Sequence, residues 1–292
     1  MSLEAWVGLL ATVGTALLSI AVAVWLEFRK RRTSGEGTAP SAPAVLRLDR
    51  VRAAGVLRAG VVHHPPLSWV DHSGGEAVFG GYYIDLARRV GLEQGLEVEF
   101  VALDWGVLPN ALDDGGVDLV LSIFETRARL GYADFVAAFH KIGVSGVTRE
   151  GPNPIREVAQ LSEPTTRVGV VVGEVGWEFV VHELRLPRHQ IVQVDSGTLK
   201  TAFSPLLSGD ADVAIVDDVT CATWVRDHPG YLHVFTENSL YLCKNSIMVP
   251  KGEPHFARWV DDVFQQARRD PEIMALEEQT LELSEGWVKR FR

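Results

Sequence analysis

The chain carries one arginine where a carboxylate could be held and one acidic pair where α/β proteins place ligands. Val117 to Ile123 is a short apolar run bounded by Gly115-Gly116, which reads as a buried strand. Thr126 stands three residues before Arg129 and is a candidate N-cap for a helix starting there. A strand ending at a helix start gathers free backbone N–H groups, and an arginine in that first turn adds a fork of donors. Together they would hold a carboxylate. A second apolar run, Ala211 to Val216, ends at Asp217-Asp218. Both positions lie just beyond a strand's C-terminal end, where α/β folds bind ligands. The plain alternatives are a surface arginine and an aspartate that caps a helix.

The elements that must position these groups alternate as strands and helices from Leu46 onward, the mark of an α/β fold. Val56 to Val62 is a strand, and His63-His64-Pro65-Pro66 is the loop after it. Adjacent histidine side chains rarely converge on one ion and no third ligand stands near, so no metal is expected. Trp69 reads either as a stacking wall for a ligand or as a packing residue. Helices are expected from Tyr83 and over Trp105 to Asp113, and strands at Leu96 to Leu103, Arg167 to Val172 and Ile191 to Val194. Gly173-Glu174-Val175-Gly176 leads into a further helix. The strand–helix series breaks near Gly143 to Thr148 and again near Thr236 to Cys243, which are read as two crossings between two lobes. On that reading no single sheet runs through Val61, Leu119, Val170 and Ile215. The organisation is then residues 1–32 as an anchor with a basic flank, 33–45 as a linker, 46–142 with 244–292 as the first lobe, and 143–243 as the second.

Composition excludes several classes. The 292 residues are 47% hydrophobic, enough for a large core. Met1 to Arg32 holds four basic and two acidic residues, so the remainder has 24 basic and 36 acidic side chains, a net of −12, a poor match to nucleic acid. The two cysteines, Cys221 and Cys243, are too few for a disulfide scaffold and lack metal spacing. They read as core residues, with one bridge as the alternative. No P-loop, GxSxG or HExxH pattern occurs, and no cofactor is expected.

The segments GVLRAGVV, PPLSWVD, GGYYIDLARRVG, VEFVALDW and GVDLVLSIFETRARLGYADF occur in one order at one spacing. In this the chain resembles the extracytoplasmic solute-binding proteins of polar amino-acid uptake systems, the family 3 proteins of ABC transporters. The resemblance covers about Leu46 to Phe291. It implies an α/β, two-lobe fold of the periplasmic-binding-protein type II and a site between the lobes. Ser122, Thr126, Arg129 and Asp134-Phe135 fill the family's S-x-x-x-x-T-x-x-R-x-x-x-x-D-F, which makes Arg129 the cation for a ligand carboxylate. The family's acidic residue for the ligand ammonium falls on Asp217, with Asp218 as the fallback. Arg129 and Asp217 are thus expected to face one another across the cleft.

Two positions depart from that pattern. Phe124 replaces a hydroxyl that touches the carboxylate, leaving its backbone N–H, with Ser122 as a compensating donor. Glu174 and Val175 stand where the family has Thr or Ser, and the Glu174 charge would repel an anion by roughly 1–4 kcal/mol at effective dielectrics of 20 to 80. These departures point to a cationic ligand, weak binding or a vestigial site.

Ala5 to Leu26 holds no charged residue, and 22 residues at about 1.5 Å each span roughly 33 Å, enough for a bilayer. Trp6 and Trp25 sit at its ends, and the charge order and cleavage site of a signal peptide are missing. A retained single-span anchor in the inner membrane is expected, followed by a flexible linker from Thr33. Four basic residues follow the span, which by the positive-inside rule puts the body in the cytoplasm; the resemblance puts it outside, and that side is taken. The resulting expectation is a membrane-anchored, non-catalytic receptor for an amino acid or similar small polar ligand, working with a membrane-protein partner. The alternative is a degenerate solute-binding fold kept as an accessory subunit of a membrane complex. A third reading, an enzyme like the cyclohexadienyl dehydratases, would need a general acid in the cleft, and Glu174 is the available carboxylate.

Overall fold

The computed structural model describes residues 46–195 and 199–291. The first lobe opens with α1 (Arg47–Ala54) and β1 (Val56–Val61), then a hairpin of β2 (Trp69–Asp71) and β3 (Val78–Gly80). It continues through α2 (Tyr82–Gln94), β4 (Glu97–Ala102), the short α3 (Leu108–Ala111) and β5 (Leu119–Phe124). β4, β1 and β5 lie parallel in that order. All six residues of β5 are buried, which is why it reads as an unbroken apolar run rather than an alternating one.

The chain then enters β6 (Ala133–Arg149), 17 residues long. The second lobe follows as β7 (Val168–Val171), α4 (Val175–Glu178), β8 (Ile191–Val194), α5 (Ser204–Ser208), β9 (Val213–Asp217), α6 (Asp218–Asp227) and β10 (Tyr231–Val234). β9, β7 and β8 are again parallel neighbours. The chain returns along β11 (Tyr241–Pro250) and closes the first lobe with α7 (Pro254–Ala267), α8 (Pro271–Leu283) and β12 (Val288–Arg290). α8 has a local reason to start where it does: Pro271 occupies its first position, and the Asp270 side chain accepts from the Glu272 and Ile273 N–H groups.

β6 and β11 are the two crossings, and they pair with each other from Ala133↔Pro250 to Val144↔Tyr241. β11 also pairs with β5, while the C-terminal half of β6 pairs with β9 and β10. The hydrogen-bonded ladder therefore runs unbroken from β4 to β8, through Val61, Leu119, Ile215 and Val170. This corrects the expectation of two separate sheets. The physical reason is the length of the crossing strands, which are long enough to take partners in both lobes. The main core is likewise continuous between the lobes, and a smaller one gathers around Val147, Phe203, Leu206 and Val216 of the second lobe. Cys221 and Cys243 are buried free thiols. No helix among the described residues is long and apolar enough to cross a membrane, and Ala5 to Leu26 lies outside them.

Candidate functional site

The C-terminal ends of β5 and β9 meet in the seam between the lobes. After β5, the Thr126 hydroxyl accepts from the Arg129 N–H at 3.3 Å and sets a single 3-10 turn, Arg129–Gly131, in place of the expected helix. That turn sends the Arg129 side chain inward, where it is 1% exposed. Two of its three guanidinium nitrogens donate to protein carbonyls, while Nε is ion-paired without a hydrogen bond. The guanidinium donates to the Phe124 carbonyl at 3.0 Å and to the Gly173 carbonyl of the second lobe at 2.7 Å. Its Nε lies 3.0 Å from Glu178 Oε1, also of the second lobe, and the Trp105 ring covers it at 5.5 Å. Gly173 has φ +80° and a Cβ there would meet the Trp105 carbonyl at 3.1 Å, so glycine is what lets the two lobes approach at this point.

Asp217 ends β9 and is 0% exposed. Its Oδ1 accepts from the Thr220 N–H at 3.0 Å, capping α6, and lies 3.4 Å from His64 Nε2 of the first lobe. Burial pushes the Asp217 carboxyl up, but His64 and the Thr220 donors outweigh it and hold it below its ordinary value. The His64 ring is fully buried, packed against Phe124 at 5.1 Å and edge-on to Trp105 at 6.4 Å. Arg129 and Asp217 therefore occupy the same seam, but each already has a protein partner from the opposite lobe.

Glu174 caps α4, its Oε2 accepting from the Gly176 N–H at 2.7 Å. Gly176 permits this tight arrangement, because a Cβ there would meet the Ile215 carbonyl at 2.0 Å. Burial and then the nearby Asp217 charge push the Glu174 carboxyl up to about 8, against the pull of the Gly176 N–H and Arg129. At neutral pH it keeps its proton. The like-charge repulsion expected from the sequence is thus relieved by protonation rather than borne as strain.

The remaining residues fall in different places. Ser122 has φ 58° and donates to Asn245 Oδ1 at 3.2 Å, away from Arg129, so it does not replace the missing hydroxyl. Phe124 serves Arg129 through its carbonyl, not its N–H, and its ring fills the seam against His64. Trp69 packs over Gly80 in the hairpin and, with Trp105, His63, His72, Asp71 and Asp104, lines an open cavity of about 630 Å³ on the first lobe. Asp218 accepts from Ser239 at 3.1 Å. Among the described residues no group of three metal-ligating side chains converges. His64 and Glu178 were missed. His64 was visible only as a polar residue beyond β1, and Glu178 only as an acid one helical turn after Glu174.

Comparison with known proteins accords with this layout. A curated cyclohexadienyl dehydratase of Pseudomonas aeruginosa is 25% identical over 218 residues, covering 74% of this chain and 78% of that protein. The amino-acid-binding protein AabA of Dichelobacter nodosus is 25% identical over 220 residues, covering 72% and 81%. The crystal structure of the ancestral amino acid-binding protein AncCDT-1, described as a precursor of cyclohexadienyl dehydratase, superposes with a TM-score of 0.64 at 26% identity, covering 80% of this chain and 98% of that one. The expectation of a non-catalytic protein is overturned by the first of these relatives, which is an enzyme. Since a profile of the family matches residues 57–282, the chain belongs to the bacterial extracellular solute-binding proteins, family 3.

Proposed function

We propose that the chain is a receptor that closes its two lobes around a small polar solute, using Arg129 and Asp217 as charged contacts from opposite sides of the seam. The observation that carries this reading is the burial of both groups beyond parallel strands, Arg129 in an ion pair with Glu178, and Asp217 3.4 Å from the His64 ring, each partner coming from the other lobe. A solute that opens and recloses the seam must exchange with those pairs, which makes binding selective. Family membership supports an extracytoplasmic body. We extend the proposal to a membrane anchor at Ala5 to Leu26 and to a membrane-protein partner that receives the solute.

A second reading is favoured by one feature. Glu174, protonated at neutral pH inside the seam, is suited to donate a proton to a departing hydroxyl, the step a dehydratase needs. Titration calorimetry of the full chain in detergent against the standard amino acids and simple amines tests the receptor. Saturable binding weakened at least tenfold by Arg129→Ala or Asp217→Asn is expected. Turnover of prephenate or arogenate, lost in Glu174→Gln, would favour catalysis. Silence in both assays, with stoichiometric co-purification of a membrane complex, would favour the accessory-subunit role.

A further inference from the structure

We propose that the seam selects a small organic cation without a carboxylate, an amine or guanidine compound whose charged group settles against Asp217 in the place now held by the His64 ring. The inference rests on the receptor reading above and names its ligand class.

The argument starts from what is already taken. A ligand carboxylate would need Arg129, yet that guanidinium meets two backbone carbonyls and the Glu178 carboxylate. To bind there, a ligand must displace an ion pair that is almost wholly out of water. The acidic side is the reverse. Asp217 Oδ2 and Glu174 Oε1 are buried and make no hydrogen bond, and neither ring nitrogen of His64 makes one either. A buried carboxylate oxygen left without a donor is uncommon, and Asp217 Oδ2 marks a place where a donor is wanted; Glu174, which keeps its proton, adds an unpartnered oxygen but no charge.

Charge counting leads the same way. Glu174, Glu178 and Asp217 face one fixed cation, Arg129. With Glu174 protonated, the two remaining carboxylates outnumber Arg129 by one negative charge, and a monocation neutralises it. A zwitterion does not, since its carboxylate meets an arginine already paired with Glu178. The walls suit an organic cation too. The His64 ring lies against Phe124 and Trp105, whose faces attract ammonium and guanidinium groups.

The test compares amino acids with their decarboxylated counterparts on the full chain, by titration calorimetry at pH 7: arginine against agmatine and lysine against cadaverine. At least one amine is expected to bind tenfold or more tighter than its parent. Asp217→Asn should weaken that amine at least tenfold, and Glu178→Gln, by releasing Arg129, should shrink or invert the preference. The wild-type ratio needs no variant and decides the matter even if a substitution impairs folding. A parent amino acid binding as tightly as its amine would overturn this inference and leave the receptor reading standing. No binding of either class, in wild type and in Glu178→Gln, would remove both.

Discussion

Two of the charge clusters among the described residues differ in how fully each is satisfied. In the first lobe, Glu277 of α8 lies 3.1 Å from His140 Nε2, accepts from Arg268 at 2.6 Å, and has Arg290 Nε at 3.4 Å from its second oxygen. Burial alone would raise that carboxyl, but His140 and Arg268 pull it down to about 2. In the seam, Glu174 goes the opposite way, to about 8, and leaves an oxygen without a donor, as does Asp217. They differ in exposure, since Glu174 and Asp217 are wholly buried whereas Arg268 and Arg290 beside Glu277 are 22% and 39% exposed. They differ as well in the number of donors aimed at each carboxylate. A cluster with its donors complete serves to hold α8 against β6; one with donors missing keeps capacity for something else.

The largest expected effect breaks the complete cluster. Glu277→Ala leaves the buried His140 without its partner while the partly exposed Arg268 and Arg290 can turn to water, and should cost about 1–3 kcal/mol in chemical denaturation. The solute preference of the seam should not change. A loss below about 1 kcal/mol would show that the cluster is no more than a surface ion pair.

A smaller effect, of opposite sign in pH, tests the incomplete one. The folded state holds the Glu174 proton above the ordinary 4.5 up to about 8, so the native protein binds more protons than the unfolded chain in that window. Stability should therefore be full below 4.5 and fall as pH rises towards 8, by up to about 1.4 kcal/mol per unit. Below 6.5, His140 and His233, both pushed down by burial, oppose this slope, because the unfolded chain takes up their protons first. The clean interval is 6.5 to 8. Glu174→Gln retains an acceptor for the Gly176 N–H and should remove the slope there; a wild-type curve already flat over that interval would mean that Glu174 ionises freely. Glu277 adds the contrary acid-side behaviour, with stability present above 4.5 and lost as pH falls through about 2.

How much of this was legible depends on what each feature needs. β5 and β9 were legible because strands buried on both faces read as apolar runs, and Thr126 and Arg129 because a turn places them three residues apart. The partners of Arg129 and Asp217 were not. Glu178 and His64 come from the opposite lobe, and nothing local in their neighbourhoods marks them as partners. Glu174 was half legible: its place after Gly173 and before a helix suggested proximity to an anion site, but only tertiary burial tells that it caps the helix and keeps a proton. The unbroken ladder was hidden for a similar reason. β6 looks like a strand followed by a crossing, whereas its length lets one strand be both.

The smallest prediction asks whether the two clusters are independent. Tyr83 is the link between them. Its hydroxyl lies 3.3 Å from His140 Nδ1 and donates to the Asn245 carbonyl at 3.1 Å, and the Asn245 side chain accepts from Ser122, two residues before the Phe124 carbonyl that holds Arg129. Tyr83→Phe keeps the ring and removes two buried hydrogen bonds, so it should cost about 0.5–1.5 kcal/mol for each. If the clusters are energetically separate, its effect on stability adds to that of Glu174→Gln within about 0.5 kcal/mol, and the ratio of amine to amino-acid affinity stays unchanged. A larger coupling would mean that the completed cluster sets the position of Asn245 and, through it, of β5's end. The first lobe's charge would then be part of the seam's selectivity rather than scaffold alone.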